Sequence, residues 1–137
     1  MTVHPARAAS QRSMAAVGAQ DRAGWLSLFA PDACVEDPVG PSFLEPTGAG
    51  HRGTEAIGAF FDANIAPLAG IDFAITDSFA SGDEVANVGT ITMTFPDGGS
   101  ARCEGVFVYR VDPAGLLVSL RAFWEVDRMM ATMRPGP

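Results

Sequence analysis

The chain has 137 residues, enough for one core and too few for two ordinary domains. Apolar residues make up 47% of it and nine are Phe, so it is expected to fold rather than stay disordered. A formal charge of −7, with the arginines scattered singly, argues against nucleic acid and anionic membrane surfaces as partners, and no stretch approaches the roughly 20 apolar residues of a membrane span. All nine basic residues are Arg. The lack of Lys excludes Schiff-base chemistry, a pyridoxal lysine and a P-loop. Arg7 and Arg12 near the start are not followed by an apolar run of signal-peptide type, so the cytoplasm is the expected compartment. Cys34 and Cys103, far apart and without CxxC spacing, are then expected to be free, buried thiols. His4 and His51 cannot form a His-rich metal site and no HExxH or Cys/His cluster occurs, so no metal or other cofactor is expected.

In chain order, residues 1–7 read as a loose tail. A helix follows over residues 8–19, with small and apolar residues at Ala8, Ala9, Met14, Ala15, Ala16 and Val17. Gly18 ends it, and Asp21 is the N-cap of a second helix over residues 22–29, which carries Trp25, Leu26, Leu28 and Phe29 and stops at Pro31. Residues 33–36 form a short strand closed by Asp37-Pro38. Residues 39–53, with Gly40, Pro41, Pro46, Gly48 and Gly50, form a loop that is long for a compact domain, as pocket lids often are. Thr54 reads as the N-cap of a third helix through Ile65, with Ile57, Phe60 and Phe61 at helical spacing; Pro67 and Gly70 break it.

The second half changes texture. Runs rich in Val, Ile, Thr and Phe cover residues 71–80, 85–95, 101–111 and 116–126. Ser81-Gly82-Asp83, Pro96-Asp97-Gly98-Gly99 and Asp112-Pro113-Ala114-Gly115 separate them as hairpin turns, so the strands form an antiparallel meander. Helices followed by a meander define an α+β fold in one domain over residues 1–137. The helices must cover one face of a bent sheet, and a pocket fits between the layers.

The segment with most chemical content is Val35-Glu36-Asp37-Pro38. Adjacent carboxylates at a strand end point to opposite faces, so one can face the interior. A carboxylate facing an apolar cavity is raised in pKa by desolvation and becomes a stronger base when ionised. From the pattern alone, the favoured reading of Asp37 is the cap of an Asp-Pro turn, because such turns are common.

The stretch Asp32-Ala33-Cys34-Val35-Glu36-Asp37-Pro38-Val39-Gly40 resembles the strand and turn that carry the general base of the bacterial Δ5-3-ketosteroid isomerases. The resemblance continues through Gly53-Thr54-Glu55-Ala56-Ile57 with Phe60-Phe61, through residues 106–115 and through Ala122-Phe123-Trp124, and so covers nearly the whole chain. The wider fold family includes nuclear transport factor 2, SnoaL-type cyclases, scytalone dehydratase and limonene epoxide hydrolase. The resemblance implies a conical α+β barrel, its curved sheet wrapped round an apolar pocket behind three N-terminal helices, and commonly a homodimer formed through the sheet. It places Asp37 on the base that moves a proton between two carbons of a steroid. Trp124, Phe29 and Phe61 fall on positions lining or supporting the pocket, and Gly105, Phe107, Leu120 and Ala122 on the pocket-facing strands; core packing explains the aromatic residues equally well.

The resemblance fails at the oxyanion donors. The isomerases hold their dienolate with a Tyr of the first helix and a protonated Asp of the penultimate strand. Ser13 and Phe107 fall on those two positions here. Tyr109, the only Tyr, shares a strand face with Phe107, and Asn87 and Cys103 also point inward in this register. Tyr109 otherwise reads as an aromatic with its hydroxyl at a rim, and Ser13 as a helix residue bonding its own turn. Glu104, Arg121 and Glu125 alternate with the inward set and read as outer-face or dimer residues. Phe43, Leu44 and His51 lie in the long loop, which reads as a pocket lid or as a solvated excursion.

Three readings of function follow. One is a cofactor-free isomerase acting on a polycyclic ketone with Asp37 as base. The second is a non-catalytic binding protein for a steroid-like or polyketide-like ligand. The third, ranked last, is epoxide hydrolysis, which requires an Asp-Arg-Asp set and finds no inward Arg.

Overall fold

The computed structural model describes residues 3–137. The first helix, α1, covers Pro5–Gly18. Pro5 sits in its first turn, where its missing N–H costs nothing, and His4 caps it by accepting from the Ala6 N–H at 3.1 Å. Pro5, Ala6 and Arg7 are therefore helical rather than part of a loose tail, while Met1 and Thr2 lie outside the described residues. Ala6, Ala9, Ser10, Ser13 and Val17 recur at helical spacing and are buried, so α1 lies along the sheet by this stripe.

Helix α2 is shorter than the sequence implies, Arg22–Leu26. Its cap is Asp21 as expected, with the Gly24 N–H donating to Oδ1 at 3.0 Å. Phe29 is not helical. It begins strand β1, Phe29–Glu36, because the Leu28 carbonyl is taken by the Leu117 N–H of the neighbouring strand. Strand β2, His51–Arg52, pairs with β1 and pins the far end of the long loop. Helix α3 covers Thr54–Asn64, with Gly53 rather than Thr54 as the residue before it; that glycine has φ +88°, a conformation side-chain-bearing residues rarely adopt.

The meander stands as expected: β3 Gly70–Ser81, β4 Glu84–Thr94, β5 Ser100–Val111 and β6 Leu117–Trp124. A fourth helix, α4, Val126–Ala131, follows where the sequence suggested only the end of a strand. The six-stranded sheet has the order β2-β1-β6-β5-β4-β3. Every neighbouring pair is antiparallel except β1 with β6, which is parallel and makes the sheet mixed. The main core lies between the helices and the inner face of this curved sheet, with Trp25, Val35, Ile57, Val85 and Leu117 all at most 1% exposed. No helix among the described residues is long and apolar enough to cross a membrane.

Candidate functional site

Alternation at the end of β1 separates the two adjacent carboxylates. Glu36 goes to the outer face, where Arg121 Nε donates to its Oε2 at 2.8 Å. Asp37 goes inward. Past it the chain turns through a cis Asp37–Pro38 peptide and is held to β6 by the Val39 N–H, which donates to the Ala122 carbonyl. Asp37 thus lies beside Trp124 at the end of β6, and the indole Nε1–H donates to its Oδ1 at 2.6 Å.

This carboxyl opens on a cavity of about 560 Å³ enclosed by α1, α3, α4 and the concave face of the sheet. Ser13, Phe107, Tyr109, Leu120, Ala122 and Trp124 line it as the sequence suggested, and Cys103 does too. Four proposed site residues do not. Phe29 stacks edge-on against Trp25, ring centres 5.0 Å apart, and Phe61 packs on the same indole at 5.7 Å; both support the wall from behind. Gly105 has no side chain to offer and sits opposite Trp124 in the β5–β6 ladder. Asn87 points to α1, not the cavity: its amide donates to Ser10 Oγ at 3.1 Å and accepts from Ser78 Oγ at 2.7 Å. Both ends are engaged inside the fold, and the side chain is buried away from the cavity.

Several wall residues were not legible in the sequence. Trp25, which read only as an apolar helix residue, donates from Nε1 to Ser13 Oγ at 2.9 Å and contributes to the cavity itself. The Ser13 hydroxyl thereby accepts from Trp25 and keeps its own proton for another partner, Tyr109 or a ligand. Met93 from β4, and Met129, Met130 and Met133 from α4 and the segment after it, form a soft apolar wall. Phe43 and Leu44 of the long loop also line the cavity, while remaining 65% and 38% exposed. His51 lies outside the lining and packs on Phe60, ring centres 5.0 Å apart.

Burial is the main influence on Asp37 and raises its pKa; the Trp124 N–H and the charge of His51 pull the other way. Burial and the Asp37 charge push the Cys103 thiol up to about 12. The same two causes raise Tyr109, with the Ser13 hydroxyl opposing them. Tyr109 and Cys103 therefore stay protonated beside a carboxyl that can ionise. One base thus faces neutral donors across an apolar space. Among the described residues no three His, Cys, Asp or Glu side chains gather as a metal site.

Such a curved mixed sheet, closed by helices over an apolar cavity with one inward carboxyl, defines the nuclear transport factor 2-like class of small α+β domains. The chain belongs to the SnoaL-like domain family, whose model matches residues 10–120. It is 31% identical to the steroid Delta-isomerase of Nocardioides simplex over 128 residues, 92% of this chain and 94% of that one. Among solved structures, it is similar to a Delta 5-3-ketosteroid isomerase from Mycobacterium sp., with 42% identity and a TM-score of 0.86 over 96% of this chain and 98% of the other. It is also similar to RV0760c from Mycobacterium tuberculosis in complex with estradiol-17beta-hemisuccinate, with 40% identity and a TM-score of 0.86 over 96% and 99% of the two chains.

Proposed function

We propose that this protein isomerises a β,γ-unsaturated polycyclic ketone, a 5-ene-3-ketosteroid or a close relative, to the conjugated enone, with Asp37 as the proton carrier. The observation that carries this reading is the Asp37 carboxyl, raised in pKa by burial and held at Oδ1 by Trp124, facing an apolar cavity of steroid-accommodating size. Trp124 occupies one oxygen and leaves Oδ2 to work. Ionised Asp37 removes the proton between the carbonyl and the double bond, leaving a dienolate. The protonated carboxyl then returns the same proton to the far carbon of the diene, which yields the conjugated ketone and the starting carboxylate. No cofactor takes part.

The dienolate oxygen requires a donor. Phe107 occupies the place where the isomerases carry an acid and offers none. Tyr109 is the donor proposed in its stead, with Ser13, itself polarised by Trp25, beside it. The known complex of RV0760c with estradiol-17beta-hemisuccinate supports a flat, hydrophobic ligand of the steroid kind.

Loss of the acid at Phe107 is also what favours the second reading, a binding protein for a steroid-like or polyketide-like ligand without chemistry. Epoxide hydrolysis gains no support, since no Arg lines the cavity among the described residues. The proposed setting is the cytoplasm, in keeping with two free thiols at Cys34 and Cys103. The deciding experiment is isomerisation of a 5-ene-3-ketosteroid, followed by absorbance of the conjugated product, for the parent and Asp37→Asn. Turnover in the parent that disappears in the variant supports the enzyme; steroid binding without turnover in either supports the binding protein.

A further inference from the structure

The polar groups of the cavity are distributed unevenly along it. Tyr109 pairs with Val85 near the start of β4, whereas Ala101 pairs with Met93 near its end, next to Ile71 of β3. Chain connection puts the C-terminus of α3 at this second end, because Asn64 leads through a short link into β3 at Gly70. Exposed Ala63 and Pro67 on the wall mark it as the mouth. The wall there is apolar, from Leu68, Met93, Met130 and Met133, with Asn64 as its polar side chain.

The Asn64 amide has a defined orientation. Its Nδ2 donates to the Phe60 carbonyl at 3.1 Å, and a carbonyl can accept only from the NH2 end. Oδ1 is left without a hydrogen-bond partner among the described residues. Neighbouring carbonyls are already engaged: Gln20 Nε2 donates to those of Ile65 and Leu68, at 3.0 and 2.9 Å. The mouth therefore offers a ligand one oriented side-chain acceptor, set among apolar side chains that shed water when a ligand covers them.

We propose that Asn64 is a specificity-determining residue, whose Oδ1 accepts a hydrogen bond from a hydroxyl at the end of the ligand remote from Asp37 and so selects a hydroxyl over a ketone there. This rests on the reading of the cavity as a steroid-ketone site. A ketone set against Oδ1 meets a second acceptor and forfeits that bond, keeping only the second Nδ2–H as a partner, so the favoured ligand is a 3-ketosteroid with a distal hydroxyl.

The test is calorimetric titration with two 3-keto-4-ene steroids that differ only at C17, one a 17β-alcohol and the other a 17-ketone. The parent is expected to bind the alcohol about 3–10-fold more tightly, the range one net hydrogen bond gives. Asn64→Leu and Asn64→Ala are expected to bring the ratio close to one, chiefly by weakening the alcohol. A parent ratio near one, a preference for the ketone, or a ratio unchanged in both variants overturns the assignment of Asn64 while the steroid site stands. Failure of the parent to bind either steroid overturns both this inference and the reading beneath it.

Discussion

Asp37 carries opposite consequences for stability and for activity. Its pKa is raised by burial, so the folded state favours the neutral acid. The stability associated with that neutral form is complete below the ordinary carboxylate pKa of about 3.9 and is lost as pH rises through the raised folded value. Asp37→Asn is therefore expected to melt at a higher temperature than the parent at pH 7, with the difference vanishing near pH 3; thermal unfolding at the two pH values checks this. The same variant is expected to lose isomerisation by at least ~100-fold. Trp124 acts on the same group in the other direction, because its N–H favours the carboxylate. Trp124→Phe should raise the Asp37 pKa further and move the acid limb of the rate profile to higher pH. An unmoved limb would show that Asp37 is not the titrating base. Tyr109→Phe keeps the ring and removes only the hydroxyl; a fall of ~100-fold in kcat with little change in KM is expected if Tyr109 holds the dienolate oxygen.

At the scale of elements, the meander was legible because its signals are local. Gly82, Gly98 and Gly115 occupy positive φ in the three turns, and the runs between them alternate as strands do. What escaped was what only tertiary contact decides. Phe29 follows Trp25 at helical spacing, yet pairing with β6 draws it into β1. Helix α4 has no side-chain cap at Glu125; it is held instead by Thr132, whose Oγ1 accepts from the Arg102 N–H at 2.8 Å, a contact remote in sequence. The Met-lined wall was hidden with it. Two glycines face each other across β4 and β5, Gly89 and Gly105, where a methyl group would run into the carbonyl oxygens of Ala74 and Phe123. Backbone atoms cannot swing aside as a side chain does. Gly105→Ala is expected to cost about 1–3 kcal/mol, read from urea unfolding, since the sheet must shift to admit it.

Over the whole molecule, the convex side of the sheet remains apolar in one row. Val88 pairs with Val106 and Val106 with Phe123, and Val88 and Phe123 are exposed. The homodimer implied by the family resemblance is proposed to form across this row. Phe123→Asp is then expected to convert a dimer to a monomer in sedimentation equilibrium, whereas a monomeric parent would remove the idea. Of the candidate site, Asp37 and the face of β5 and β6 were accessible to strand alternation, as was the outward turn of Glu36 and Arg121. Asn87 illustrates the limit: its side chain points to the helical side of the sheet but meets α1 at Ser10 before it can reach the cavity, a matter of how the layers stack. The hydrogen bonds from Trp25 and Trp124 have the same origin, since each depends on how packed elements meet, α2 on α1 for Trp25 and the end of β6 on the end of β1 for Trp124. They also give the molecule a native optical probe. Its two tryptophans and single tyrosine all line the cavity, so intrinsic fluorescence originates at the site, and one indole is bonded to the carboxyl whose ionisation matters. Emission followed from acid to neutral pH should trace that ionisation, and quenching by an added enone should report occupancy, with no label attached.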